Sequence, residues 1–186
     1  MPFALLPADA AFEVGELQTS KKGQKFCDIR IAGECPSFQL SPLPLYSPFG
    51  VGVYQGTGEE SRMNWDLHID EQTKQRLLVW DAFFARELKK HAKNAQYHPI
   101  VQCDGEHPDK VRMKINCAGP HAARIWSDKQ EPLGDVRKLA TAGAYCIPII
   151  KVQKAWYMGG LYVVSLECSA AVLSAMPPAD ADMFPL

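Results

Sequence analysis

The chain has 186 residues, 47% of them hydrophobic, and a formal net charge of −1 at pH 7. This length and composition suffice for the core of one domain, and no apolar run approaches the roughly 20 residues of a membrane-spanning helix. The balanced charge argues against a uniformly basic nucleic-acid binder, and the start lacks the basic flank of a signal peptide.

The N-terminal third predicts short strands separated by loops. Residues 1–20 are expected to be irregular, because they carry two prolines and only a weak apolar pattern. Alternation predicts a strand at 26–31, and shorter extended pieces follow at 37–40 and 51–54. The prolines between residues 42 and 48 predict a stiff loop.

The middle of the chain predicts a further strand and then the main helix. Residues 64–69 alternate, with Trp65 and Leu67 on one face. Asp70 is a suitable N-cap for the helix that follows. The buried stripe of this helix is expected at helical spacing: Leu77, Trp80, Phe84, Leu88 and His91.

The C-terminal half is rich in strand signals. Residues 111–116 alternate most clearly, with Arg112 and Lys114 on the face opposite the apolar side chains. A short strand is predicted at 124–127. Two long apolar runs, 145–157 and 161–173, flank a Gly-Gly pair that indicates a hairpin. Many short strands and one helix favour a small barrel or a sandwich.

The net charge conceals a gradient along the chain. From the sequence, residues 1–109 carry −4 (11 basic, 15 acidic), residues 110–157 carry +6 (nine basic, three acidic) and residues 158–186 carry −3. Single-stranded nucleic acid is held by cations together with aromatic rings on which bases stack. The predicted DNA-binding residues are therefore Arg112, Lys114, Trp126, Lys151, Lys154, Trp156, Tyr157 and Tyr162. The alternative for each aromatic is core packing, which we expect for about half of them.

The chain closes on a short acidic tail. Pro177 and Pro178 separate it from the body, which predicts one domain over residues 1–176 and a mobile tail over 177–186. Asp180, Asp182 and Phe184 are the candidate partner-binding residues of the tail. A frayed terminus with two chance carboxylates is the alternative.

Two segments carry a resemblance to a known family. The stretch from Gly143 through Trp156 to Leu166, with the upstream basic strand Lys110–Ile115, resembles single-stranded DNA-binding proteins of large DNA viruses, including viruses of algae. That family is similar in architecture to the OB-fold single-stranded DNA-binding proteins of T7-like phages, which end in an acidic tail with an aromatic tip. The resemblance covers about residues 64–186. The chain departs from the family at Leu161-Tyr162, where family hairpins usually carry Phe-Gly, and its tail has only two acids.

The resemblance implies a mainly β, OB-like barrel with one main helix, a long C-terminal hairpin and a short acidic tail. It implies a protein without enzymatic activity or cofactor that coats single-stranded DNA in replication, repair or recombination. The tail would compete with DNA and recruit a polymerase, helicase or primase, or would swap onto a neighbouring subunit of a homodimer. The expected location is intracellular, in the nucleus or at a viral replication site.

Two other functions remain open at this stage. Cys103, His107, Cys117 and His121 form two Cys-x3-His pairs that could hold zinc, although structural sites usually pair like ligands and the two pairs bracket a strand about 18–20 Å long. The second alternative is a β-sandwich that binds other proteins and no nucleic acid. The charge gradient favours DNA binding, because a scaffold does not need a basic block beside an acidic tail.

Overall fold

The computed structural model describes residues 4–5, 7–52, 61–103 and 105–174. Within them the chain is mainly β, with one α-helix and one short 3-10 helix at Val136–Lys138. No helix in this part of the chain is long and apolar enough to cross a membrane. The elements in chain order are β1 (Phe12–Thr19), β2 (Lys25–Ile31), β3 (Phe38–Gln39), β4 (Leu45–Ser47), β5 (Val51–Gly52), β6 (Arg62–His68), α1 (Glu71–Leu88), β7 (Gln96–His98), β8 (Val101–Gln102), β9 (Lys110–Asn116), β10 (Arg124–Ser127), β11 (Ala144–Met158) and β12 (Leu161–Ser174).

The strands close into a barrel. β11 pairs with β4, β4 with β6, β6 with β9, β9 with β12, and β12 returns to β11. β2 extends the sheet outward from β11, and β1 pairs with β2. This closed ring confirms the predicted mainly β, OB-like architecture, because closure pairs the edges that an open sheet would leave exposed.

The predicted C-terminal hairpin is confirmed. β11 and β12 pair antiparallel from Met158–Leu161 at the tip to Tyr145–Ser174 at the base, with two register shifts along the way. Gly159 and Gly160 connect them at φ values of 56° and 85°. Two-residue hairpin turns of type I′ require this left-handed backbone at both positions, which glycine adopts without steric cost.

The helix α1 begins as the sequence predicts. The Asp70 side chain accepts a hydrogen bond from the Thr73 amide at 2.8 Å and so caps the first turn. Trp80 packs edge-on against Phe12, with ring centroids 5.1 Å apart, and against Phe38 at 5.7 Å. Leu77, Trp80, Phe84 and Leu88 form its buried stripe, whereas His91 lies beyond the end of the helix.

Residues 1–20 were expected to be irregular, and this was wrong for β1. Phe12, Val14 and Leu17 share the inner side of β1, but a register shift between Val14 and Leu17 breaks their alternation. A bulge of this kind hides a strand from a period-two pattern. The proline-rich loop also contains an unpredicted three-residue strand, β4, and β7 and β8 were not anticipated because each is only two or three residues long.

The other predicted strands are present, at β2, β3, β6, β9 and β10. The predicted strand at 51–54 is seen over Val51–Gly52, and its last two residues lie outside the described residues. The acidic tail, with Asp180, Asp182 and Phe184, also lies outside them, so its role and the boundary at residue 176 stay predictions.

Candidate nucleic-acid interface

A cleft of about 440 Å³ runs across the outer surface of the barrel. Its basic side is formed by β6 and β9, its aromatic side by the tip of β11, its floor by β12, and its remaining wall by the segment from β7 to β8. It brings together three of the predicted DNA-binding residues, which are Arg112, Lys114 and Trp156. A second cleft of about 420 Å³ shares Arg112 and His98 with the first and continues to Lys110.

The basic side follows from the alternation of β9. Val111, Met113 and Ile115 are fully buried, so Arg112 and Lys114 point outward. In an antiparallel pair, residues directly opposite each other lie on the same face. Arg112 is opposite Asp66 on β6, and Lys114 is opposite Asn64.

Carboxylates already hold two of the cleft's cations. Arg112 binds Asp66 through two hydrogen bonds, and Arg62 binds Glu167 at 3.2 Å. Neither Lys114 nor Lys154 has a carboxylate partner in the part of the chain that the structure describes. Burial, together with the charge of Arg62, lowers the pKa of Lys114. This crowding of positive charge favours an anionic ligand.

An aromatic pair forms the opposite side. Trp156 is partly exposed, and its ring centroid lies 5.4 Å from that of Phe26, which sits opposite it on β2. The Lys154 ammonium lies over the Phe26 ring, 4.1 Å from its centroid, and 5.4 Å from that of Trp156. Phe26 is buried, at 8% exposed, but it lies outside the contiguous cluster of core residues inside the barrel. Phe26 and Lys154 thus support Trp156 from outside the barrel.

The floor of the cleft is β12. Val163 lies opposite Trp156 and Ser165 opposite Lys154, so both side chains lie on the outer face. The Ser165 hydroxyl oxygen is buried and has no hydrogen-bond partner within the described residues. Buried polar groups in proteins are usually paired.

A buried carboxylate fixes the remaining wall. Asp81, on α1, accepts hydrogen bonds from the Tyr97 hydroxyl at 2.6 Å, from the Ile100 amide at 2.7 Å and from the Val101 amide at 3.1 Å. Burial raises the pKa of Asp81, although these three hydrogen bonds oppose the shift. The bonds hold the segment that carries His98, so one acid on the helix positions one wall of the cleft.

Two of the predicted aromatics face the wrong way, which corrects the sequence prediction. Trp156 and Tyr157 are consecutive in β11, so their side chains leave opposite faces of the sheet. Tyr157 packs against the core and against Tyr162, with ring centroids 5.0 Å apart. Tyr162 is 1% exposed. A base cannot stack on the buried ring of Tyr162, and the partly buried ring of Tyr157 packs against the core on the face away from the cleft.

The other predicted cations and Trp126 lie away from the cleft or at its margin. Trp126 pairs with Val172 near the end of β12, whereas Trp156 pairs with Val163 near its start. The two tryptophans are therefore separated by about 30 Å of extended strand. Lys151 lies opposite Glu167, whose charge offsets its own. Lys154 borders the cleft through its contact with Trp156.

The candidate zinc ligands do not converge. Cys103 and His107 precede β9, and Cys117 and His121 follow it. Cys117 is buried, whereas Cys103 is exposed. Among the described residues, no group of three His, Cys, Asp or Glu side chains is arranged to hold a metal ion. The six cysteines, all within those residues, are thiols.

Four residues in or beside the cleft were missed by the sequence analysis: Phe26, Arg62, Asp66 and His98. Phe26 and Arg62 come from strands in the acidic part of the chain, and the pairing of β2 with β11 brings Phe26 beside Trp156. The only local signal was the strand alternation, which places Phe26 on the face opposite Cys27 and Ile29.

Comparisons with known proteins support the fold. No protein-family model and no curated protein matches the sequence. Among solved structures, the chain is similar to the crystal structure of gp2.5, a single-stranded DNA-binding protein encoded by bacteriophage T7. The superposition has a TM-score of 0.53 at 15% sequence identity and covers 81% of this chain and 96% of the phage protein. At this identity, the similarity establishes a shared fold.

Proposed function

We propose that this protein binds single-stranded DNA in the cleft between the basic face of β9 and the tip of β11. The observation that carries the proposal is the convergence of Arg112, Lys114 and Trp156 on one cleft. The fold shared with a phage single-stranded DNA-binding protein supports it independently.

Binding combines stacking with phosphate contacts. An unpaired base stacks on Trp156, a contact worth about 1–3 kcal/mol that depends little on base identity. The backbone then runs along the cations of β9, and binding releases the counterions condensed on the phosphates. A duplex keeps its bases stacked on one another, so it can use the phosphate contacts but not the aromatic ones.

Two carboxylates of the cleft compete with phosphate for its guanidinium groups. Asp66 and Glu167 neutralise Arg112 and Arg62 when no ligand is bound. A phosphate that replaces them gains charge-assisted hydrogen bonds from the same guanidinium groups. The protein therefore binds through an exchange of anions.

We propose the wider role on the sequence resemblance. The chain coats single strands in replication, repair or recombination, in the manner of the single-stranded DNA-binding proteins of large DNA viruses, and it catalyses no reaction. Its tail, with Asp180, Asp182 and Phe184, recruits a polymerase, helicase or primase, or contacts a second copy in a homodimer. The composition of the tail and its separation by Pro177-Pro178 support this part of the proposal.

Retention on DNA-cellulose tests the proposal. The protein should be retained on single-stranded DNA-cellulose at low salt and released by a salt gradient, and retention on duplex DNA-cellulose should be much weaker. If it passes through both columns, the alternative of a protein-binding β-barrel without nucleic-acid affinity is favoured.

A further inference from the structure

Two turns lie side by side at one end of the cleft. The first is the turn between β1 and β2, residues 20–24, and the second is the Gly159-Gly160 turn of the C-terminal hairpin. The pairing of Lys25 with Tyr157 places them next to each other. Gln24 from the first turn and Met158 from the second both line the cleft, so a strand that leaves the cleft here passes between them.

The hairpin turn presents an apolar tip. Met158 and Leu161 are directly opposite each other, and they are 55% and 40% exposed. The Gly160 carbonyl accepts a hydrogen bond from the Gln96 amide at 2.9 Å, and β7 pairs with β12 from Leu161 onward. The tip is therefore held by β7 on its β12 side and by β2 on its β11 side.

The neighbouring turn presents a basic tip. Lys21 and Lys22 are exposed, and neither has an ion-pair partner in the described part of the chain. Lys25, which is opposite Tyr157, leaves the other face of the sheet. The turn itself is well defined, because the Ser20 amide donates to the Gln24 carbonyl at 2.8 Å and the Gly23 amide to the Ser20 carbonyl at 2.9 Å. Two unpaired ammonium groups beside an apolar tip suit a ligand that is both anionic and flat.

We propose that this end of the cleft binds the junction between single-stranded and duplex DNA. The last base pair of a duplex exposes a flat apolar face, on which Met158 and Leu161 pack as a wedge. Lys21 and Lys22 contact the duplex phosphates, while the unpaired strand continues past Trp156 into the cleft. This inference rests on the proposed function.

The geometry favours a nucleic-acid junction over a membrane surface. Only two apolar side chains are exposed at the tip, which is little for insertion into a lipid interface. The tip is also continuous with the cleft through Met158, as a junction requires and a membrane contact does not.

The test compares four DNA probes by fluorescence anisotropy: oligo-dT, a DNA hairpin with a 5′ oligo-dT tail, the same hairpin with a 3′ oligo-dT tail, and the hairpin without a tail. The full chain should bind one of the tailed hairpins more tightly than oligo-dT or the blunt hairpin. The variant Leu161→Ser should reduce this preference at least about threefold, because it removes apolar surface from the packed face. Lys21→Gln combined with Lys22→Gln should reduce the same preference and make it less dependent on salt.

Leu161, Lys21 and Lys22 do not line the cleft, so the affinity for oligo-dT serves as the internal control for these variants. Leu78→Ser is the matched substitution, since Leu78 on α1 is 39% exposed and belongs neither to the turns nor to the lining of the cleft. Equal affinity for tailed hairpins and oligo-dT, or an undiminished preference in Leu161→Ser, would overturn the inference and leave the proposed function intact. Absence of oligo-dT binding by the unmodified chain would instead contradict the proposed function. Binding to phosphatidylserine vesicles that requires Leu161 would overturn the junction assignment in favour of a membrane contact.

Discussion

Arg112 and Asp66 face each other across β9 and β6 and form a two-bond ion pair, with Nε–Oδ1 and Nη2–Oδ2 distances of 2.7 and 2.8 Å. Lys110 adds a third contact to the same carboxylate at 3.3 Å. Burial alone would raise the pKa of Asp66, but the hydrogen bonds and charges of Arg112 and Lys110 outweigh it and lower that pKa. An internal carboxylate thus occupies a position suited to a phosphate.

Asp66→Asn should therefore tighten binding to single strands. The substitution removes the negative charge that competes with phosphate for Arg112 and Lys110. We expect a gain of about 1 kcal/mol or less, largest at low salt. Titration of the variant with oligo-dT at several salt concentrations measures it. Glu34→Gln is the control, because it removes the same charge from an exposed turn at the far end of β2. Equal gains in both variants would show a general charge effect and would argue against a specific competition at Arg112.

Replacing Arg112 and Lys114 together by Ala should weaken binding and flatten its salt dependence. The slope of log affinity against log salt should become shallower by about 0.7 for each phosphate that the variant no longer neutralises. Met113→Ala in the same strand should behave differently, because Met113 is fully buried and a core truncation of this kind costs about 2–5 kcal/mol of stability. An unchanged salt slope in a folded double variant would place the DNA path on another face.

The sequence predicted the basic side of the cleft and only part of the aromatic side. In β9 a regular alternation separates Arg112 and Lys114 from the buried residues, so their outward direction could be read directly. In β11 and β12 apolar and aromatic residues predominate, and two register shifts interrupt the alternation. Alternation continued from Lys151 and Gln153 would place Tyr157 outward, whereas the shift between Val152 and Lys154 moves the outward face to Lys154 and Trp156.

The contribution of β2 was not predictable for a different reason. Phe26 reaches Trp156 only because residues 25–28 pair with residues 154–157, and the sequence contains no local signal of that long-range register. The same limit applies to Asp81, whose role depends on Tyr97 and the amides of Ile100 and Val101 being folded against α1.

Asp81 predicts a pH dependence of stability. Its pKa is raised above the ordinary value of 3.8 in the folded protein. Between 3.8 and the folded pKa, the native state therefore holds more protons than the unfolded state, and this carboxyl makes the free energy of unfolding fall as pH rises through that window. Asp66 acts in the opposite sense, since its lowered pKa makes its contribution disappear as pH falls below its ordinary value.

Urea unfolding of the unmodified chain and of Asp81→Asn, measured between about pH 3 and pH 7, separates the two effects. In Asp81→Asn, the free energy of unfolding should no longer decline as pH rises above 3.8, and it should still decrease as pH falls below that value. Asp81→Ala should cost about 1–3 kcal/mol for each buried donor left unpaired. Identical pH profiles for Asp81→Asn and the unmodified chain would show that the Asp81 pKa is not raised.

Deletion of residues 179–186 should tighten the binding of oligo-dT. Two acidic side chains and the terminal carboxylate would no longer compete for the cleft, and the expected gain is about 1 kcal/mol or less at low salt. The same deletion should abolish the capture of a polymerase, helicase or primase by the immobilised protein. Asp180→Asn with Asp182→Asn is the matched variant, because it removes charge and keeps Phe184. If the truncated protein binds both DNA and these enzymes as the full chain does, the tail has neither role.

Quenching of Trp156 fluorescence by oligo-dT tests whether a base stacks on this ring in the cleft. Trp65 and Trp80 are buried, so Trp126 and Trp156 are the tryptophans that a base can reach. Quenching should persist in Trp126→Phe, vanish in Trp156→Phe, and diminish with salt as the affinity falls. Trp156→Ala should weaken binding by about 1–3 kcal/mol. Unchanged affinity in a folded Trp156→Ala protein, or quenching that survives in Trp156→Phe and disappears in Trp126→Phe, would contradict the proposed cleft.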